Sequence, residues 1–163
     1  MDTFAFRRPE TLKQLEVFEV DHPDTQTFKR QRIAELGWEC SPSLHFVPVN
    51  FISDSLTKAL LQSSYDPTVL SFFSWLGVTY YLPQDAVFDT LRSIADIASA
   101  GSMVVFDYYD TDIFDSEKVH PIMKTAMQNL RRQGEPLKTA FTATILATEL
   151  ANVGLHLHAV GPE

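Results

Sequence analysis

What the chain lacks narrows its class before anything it contains. Among 163 residues there is one cysteine, Cys40, so neither an intrachain disulfide nor a cysteine-rich metal site is expected. No stretch approaches the ~20 consecutive apolar residues that span a bilayer, and no secretory pattern precedes the first strand. Basic residues are in the minority. With 13 Lys and Arg against 21 Asp and Glu, the formal charge is -8, which disfavours nucleic acid or an anionic membrane surface as a partner. The expected compartment is the cytoplasm. The chain has no GxGxxG fingerprint, no Walker-type loop and no GxSxG elbow. It also lacks internal repeats and low-complexity segments.

What remains is ordinary for a soluble globular domain: 45% hydrophobic, 21% charged and 12% aromatic residues. The length suits a single domain over 1–163 with a sizeable core. Both ends look cut, because DTFAFRRPE and LHLHAVGPE each read as part of an element rather than its border.

The organising stretch is LEVFEVDHPDTQTFKRQRIAEL, residues 15–36. A near-continuous apolar run predicts a strand over 15–20, covered on both faces. Asp21 stands at its carboxyl end, and Pro23 suits the first position of a following helix. That helix is predicted over 25–36, with Phe28, Ile33 and Leu36 inward and Gly37 as its stop. A second strand follows over 46–49, ending in Asn50-Phe51. Ser53-Asp54 can cap a helix running to Gln62, with Leu56, Ala59 and Leu60 inward.

A third strand is predicted over 69–75, followed by Gly77 and the aromatic run ending at Tyr80-Tyr81. Pro83 and Asp85 open the clearest helix, in which Val87, Leu91, Ile94, Ala95 and Ala98 form one stripe and Gly101 lies past the end. The fourth strand is Met103–Phe106. Two helices follow, one striped by Val119, Ile122, Met123, Ala126, Met127 and Leu130, the other over 142–152 with Gly154 as its stop. A last strand is predicted over 155–160. Alternating strands and helices argue an α/β domain with a mainly parallel sheet.

In such sheets ligands bind outside the carboxyl ends of the strands. A carboxylate there, Asp21, can accept hydrogen bonds from vicinal ribose hydroxyls; Asp before a His-Pro turn is also a common loop and cap residue. Asn50 can pair with an adenine edge while Phe51 packs on the ring, or Asn50 can close an Asx turn with Phe51 in the core. Trp75, Tyr80 and Tyr81 can line a pocket or belong to the core. His156 and His158 share one face of a strand, but no further ligand is in register, and no metal site is expected.

The run VFEVDHPDTQTFKRQRIAELG resembles the segment after the second strand of S-adenosylmethionine-dependent methyltransferases of the leucine carboxyl methyltransferase-like family, and more narrowly their O-methyltransferase branch. The likeness continues through FVPVNF, FFSWLGVTYYLPQDAVFDTLRSIA, GSMVVFDYYD and GEPLKTAF. The resemblance implies a class I methyltransferase, Rossmann-like fold. It implies S-adenosyl-L-methionine as cofactor and a small-molecule methyl acceptor.

By that resemblance Asp21 binds the ribose, while Asn50 and Phe51 contact the adenine. Asp2 belongs to the tail of the family's G-x-G-x-D-[ST] loop. Tyr80 and Tyr81 fall on the substrate side, and no residue receives a catalytic role. The two glycines of that loop, the first strand and the final strands have no counterpart, so a truncated member is expected. Its exposed sheet edges would favour self-association. Two functions follow: O-methyl transfer, or an inactive methyltransferase-fold module for binding or oligomerisation. A nicotinamide-dependent dehydrogenase shares the strand-end acid but not the sequence around it.

Overall fold

The structure is a computed structural model describing residues 3–158. It divides into two compact units, Met1–Pro67 and Thr68–Glu163.

In the first unit, β1 (Val17–Asp21) pairs in parallel with β2 (Leu44–Pro48), from Val17 opposite Leu44 to Asp21 opposite Pro48. Residues paired this way share a face. On one face a short helix α1 (Phe4–Arg7) and the turn Thr11–Lys13 pack Ala5 and Leu12 against Leu44, with Val17 and Phe46 beside them. On the other, Phe18 stacks on His45 at 4.7 Å and Tyr65 meets Phe18 edge-on at 5.6 Å. Helix α3 (Leu56–Leu61) buries Leu56 and Leu60 in this unit. Its cap is Ser55, whose hydroxyl accepts the Lys58 N–H, and not the predicted Ser53-Asp54, which an earlier turn consumes.

Helix α2 (Pro23–Glu35) begins where proline predicts, and Gly37 ends it at φ +65°. Its inward face differs from the apolar expectation. Phe28 and Leu36 are 57% and 52% exposed, whereas Gln26, Lys29 and Ile33 are buried. The cause lies in β1. Glu19 projects from the covered face, and Lys29 forms an ion pair with it. Gln26 donates its amide to two backbone carbonyls, those of Glu19 and Val47. Two polar side chains of the helix thus turn inward where they meet polar groups of the strands, while Ile33 is buried as expected.

In the second unit, β3 (Phe72–Trp75) pairs in parallel with β4 (Met103–Phe106). β3 starts later than predicted; Val69 and Leu70 are exposed and precede the paired stretch. Helix α4 (Gln84–Ile97) follows the expected stripe, with Val87, Leu91 and Ile94 buried. Helix α6 (Ala143–Asn152) packs on it through a core that includes Leu146 and Leu150. Helix α5 (Pro121–Arg132) carries its predicted stripe but buries none of its residues. Residues 155–158 form no strand, having no partner to pair with among the described residues; 159 and 160 lie outside them.

Among the described residues the strands form two two-stranded parallel sheets, β1–β2 and β3–β4, so each of the four lies at a sheet edge. The face of the second sheet bearing Phe72, Ser74, Met103 and Val105 is open to solvent. Among the described residues no helix is long and apolar enough to cross a membrane.

Candidate functional site

The site is built at the carboxyl end of β1–β2. The ladder closes there with the Val49 N–H donating to the Asp21 carbonyl at 2.9 Å. Val49 is fully buried, which fixes the backbone that leads into Asn50. The His22 N–H donates to Asp21 Oδ1 at 2.7 Å. Asp21 is half-buried, and its Oδ2 has no partner among the described residues.

Asn50 is held from three sides. Its N–H donates to Asp54 Oδ2 at 2.9 Å, and its Oδ1 accepts the Ile52 N–H at 3.0 Å. Its carbonyl accepts the Ser53 and Asp54 N–H groups at 3.0 and 2.8 Å. Asn50 thus makes the Asx turn that its sequence allowed. With Oδ1 engaged, the carboxamide presents its Nδ2 donor. The Asn50 N–H, then the Ser53 hydroxyl and the His22 imidazole, hold the Asp54 carboxyl below its usual range against a small opposing effect of burial. Phe51, half-buried, follows Asn50 in the same turn. Asp2, the remaining predicted cofactor residue, lies outside the described residues.

His22 caps α2, its Nδ1 accepting the Asp24 N–H at 3.3 Å. The ends of the paired strands thus carry a carboxylate oxygen that can accept hydrogen bonds and, two residues past the second strand, a carboxamide that can donate them.

Tyr80 and Tyr81 belong to the second unit, at the carboxyl end of β3–β4. Gly77, at φ +75°, donates its N–H to both Asp107 oxygens at 2.9 and 3.1 Å, tying the loop after β3 to the loop after β4. The Thr79 hydroxyl donates to the Asp107 carbonyl. The 137–141 stretch then staples both loops: the Lys138 N–H reaches the Tyr80 carbonyl at 2.7 Å, and the Phe141 N–H the Tyr109 carbonyl at 2.9 Å. Inside this frame the Tyr80 ring lies 4.8 Å from both the Tyr81 and Tyr109 rings.

These rings cover one another, and Trp75 is buried, so part of the aromatic run is core. Burial, aided by the Glu135 charge, pushes the Tyr81 phenol above its ordinary value. It stays protonated at neutral pH and cannot serve there as a phenolate base. Among the described residues no group of three or more His, Cys, Asp or Glu is placed to hold a metal ion.

Sequence reasoning did not find Gln26, Lys29, Asp107 or Tyr109. The i, i+3 spacing of Gln26 and Lys29 was the available signal, but it identifies an inward face only once Glu19 is known to lie beneath it.

The chain is 33% identical over 158 residues to the Bacillus subtilis protein named "Putative S-adenosyl-L-methionine-dependent methyltransferase YktD", covering 97% of this chain and 52% of that one. The chain therefore spans about half the length of the curated relatives it matches. The structure of an O-methyltransferase family protein from Burkholderia thailandensis superposes with a TM-score of 0.57 at 16% identity, over 96% of this chain and 41% of that one. The structure of the LepI complex with SAM gives a TM-score of 0.54 at 18% identity, over 95% and 35%. At these identities the structures show the α/β methyltransferase fold. The leucine carboxyl methyltransferase family model matches residues 1–95, and with the parallel strands and the strand-end carboxylate in place, the chain belongs to the leucine carboxyl methyltransferase family.

Proposed function

We propose that this chain is the part of an S-adenosyl-L-methionine-dependent O-methyltransferase that holds the nucleoside of its cofactor. The observation that carries this is the Asp21 Oδ2, without a partner among the described residues, at the carboxyl end of a parallel strand pair, with Asn50 following the end of the neighbouring strand. Asp21 would accept hydrogen bonds from the ribose hydroxyls, Asn50 would donate Nδ2 to an adenine ring nitrogen, and Phe51 would pack on the base. Asp2 belongs to the same set through its motif. Tyr80 and Tyr81 are the acceptor-side residues, and the acceptor is a small molecule bearing a carboxylate or hydroxyl.

When bound, the cofactor supplies a methyl group on a sulfonium, open to in-line attack. Held by Asp21, Asn50 and Phe51, it would supply that methyl group to an acceptor oxygen and leave as the neutral thioether. A carboxylate acceptor has no proton to lose, so no general base is required. The chain's contribution is to fix the donor and exclude water, which can account for much of the acceleration in such displacements.

Calorimetric titration with S-adenosylmethionine tests this reading. The chain should bind, and Asp21→Ala should weaken binding by about ten-fold or more, the worth of a charge-assisted hydrogen bond. No heat of binding with the unaltered chain sinks the claim.

The second reading is an inactive methyltransferase-fold module that associates through its sheets. It is favoured by the four edge strands and the open face bearing Phe72, Met103 and Val105. A clean monomer by light scattering at high concentration would count against it.

A further inference from the structure

We infer that Gln26 is a positioning residue for the cofactor end of β1–β2, acting on Asp21 through the backbone; this rests on the nucleoside-binding reading of Asp21. The Gln26 Nε2 donates to the Glu19 carbonyl at 2.7 Å and to the Val47 carbonyl at 2.9 Å. One of these carbonyls belongs to each strand, and each lies two residues before the group it would control. Glu19 precedes Asp21 and Val47 precedes Val49, and Val49 N–H meets the Asp21 carbonyl.

The paired stretch runs from the Val17 N–H on the Ser43 carbonyl to the Val49 N–H on the Asp21 carbonyl. In a parallel pair of this register, the Glu19 and Val47 carbonyls turn toward the seam between the strands. Gln26 uses their remaining acceptor capacity. Its two N–H groups straddle the seam and lock the strands to each other and to the first turns of α2.

A two-stranded sheet is marginal by itself, and its ends fray. Here the end that would fray carries the ligand groups, and Gln26 is 5% exposed directly behind it. An apolar residue would fill the same space. A buried carboxamide at this position is needed only for what its two donors hold.

Spatially resolved hydrogen exchange, measured by NMR on the full chain, tests the inference. In Gln26→Met, which keeps the length and removes the donors, the His22 and Val49 amides should exchange about ten-fold faster, while the Val17 amide at the opposite end stays within about two-fold. Gln26→Asn, which keeps a carboxamide too short to reach, should behave likewise and serves if Gln26→Met does not fold. Equal acceleration at both ends, or none at either, overturns the inference, because a general tie would loosen the whole pair. S-adenosylhomocysteine titration supplies the second arm. Gln26→Met should bind about ten-fold more weakly than the unaltered chain with Asp21 intact, and equal affinity overturns the positioning role. If the unaltered chain does not bind, the nucleoside reading fails, and the exchange pattern still decides whether Gln26 holds the strand ends.

Discussion

Lys29 and Glu19 form an ion pair beneath α2 with side chains only 9% and 14% exposed. This pair, more than any apolar stripe, decides how α2 lies on β1. It leads from one acidic residue in a strand to the face of a helix, and from there to the turn that presents Asp21.

Removing one partner should be far worse than removing both. Lys29→Met is expected to cost about 3–5 kcal/mol, because it strands the Glu19 charge under the helix. Combining it with Glu19→Leu should recover most of that loss. Urea unfolding of the two single variants and the double variant measures it, and additive losses would contradict it.

The two amphipathic helices of the second unit should respond differently to truncation. Leu91 is fully buried on α4, and Leu91→Ala should cost about 2–5 kcal/mol through lost burial and the cavity left behind. Ile122 on α5 is 75% exposed, and Ile122→Ala should change stability by no more than about 0.5 kcal/mol. Thermal or urea denaturation compares them directly.

Asp54 gives the first unit an acid-sensitive turn. Its folded pKa lies below the ordinary value of 3.8, chiefly because the Asn50 N–H donates to it. Its contribution to stability is therefore present above that value and is lost as pH falls through the lower folded one. The stability difference between the unaltered chain and Asp54→Ala should be constant above about pH 5 and close in more acid solution. An NMR titration placing the Asp54 midpoint at or above 3.8 would refute it.

Gly77 should tolerate no side chain well, for a reason of backbone rather than space. A Cβ there would meet only the Tyr80 hydroxyl at 3.7 Å, an ordinary contact, but the residue sits at φ +75°. Gly77→Ala is expected to cost about 1–2 kcal/mol, the penalty of the left-handed region. Gly77→Asn should cost less. Denaturant midpoints of the two variants check the order.

Tyr81 should titrate above its ordinary 10.0, with burial as the larger cause and Glu135 the smaller. Its neutral form is favoured in the folded state, so the associated stability is present below that value and lost as pH rises through the higher folded one. Absorbance titration should show Glu135→Gln bringing the midpoint only part of the way back. A complete return would mean that the charge, not burial, dominates.

Several of these features were legible in the sequence. The α4 stripe was, because Val87, Leu91 and Ile94 recur at helical spacing and all three are buried. The strand ends at Asp21 and Asn50 were legible from apolar runs that stop at polar residues. On the inward face of α2 only Ile33 was. Phe28 and Leu36, the other apolar candidates, face solvent, because periodicity reads one helix and cannot see Glu19 on the strand below. The α5 stripe was read correctly as a stripe, but whether anything covers it is a property of its surroundings.

The sequence by itself determined the alternation of strands and helices from β1 to α6, the family and the residue types at the strand ends, because propensity, helix caps and motif spacing are written in short windows. Only the tertiary structure decided that the four strands pair two by two. It also decided that Asn50 spends its oxygen on a turn, that Asp21 keeps one oxygen unpartnered among the described residues, and that Gln26 spans the seam of β1–β2. Each of these depends on which groups from distant parts of the chain come within hydrogen-bonding reach, and no local pattern encodes that distance.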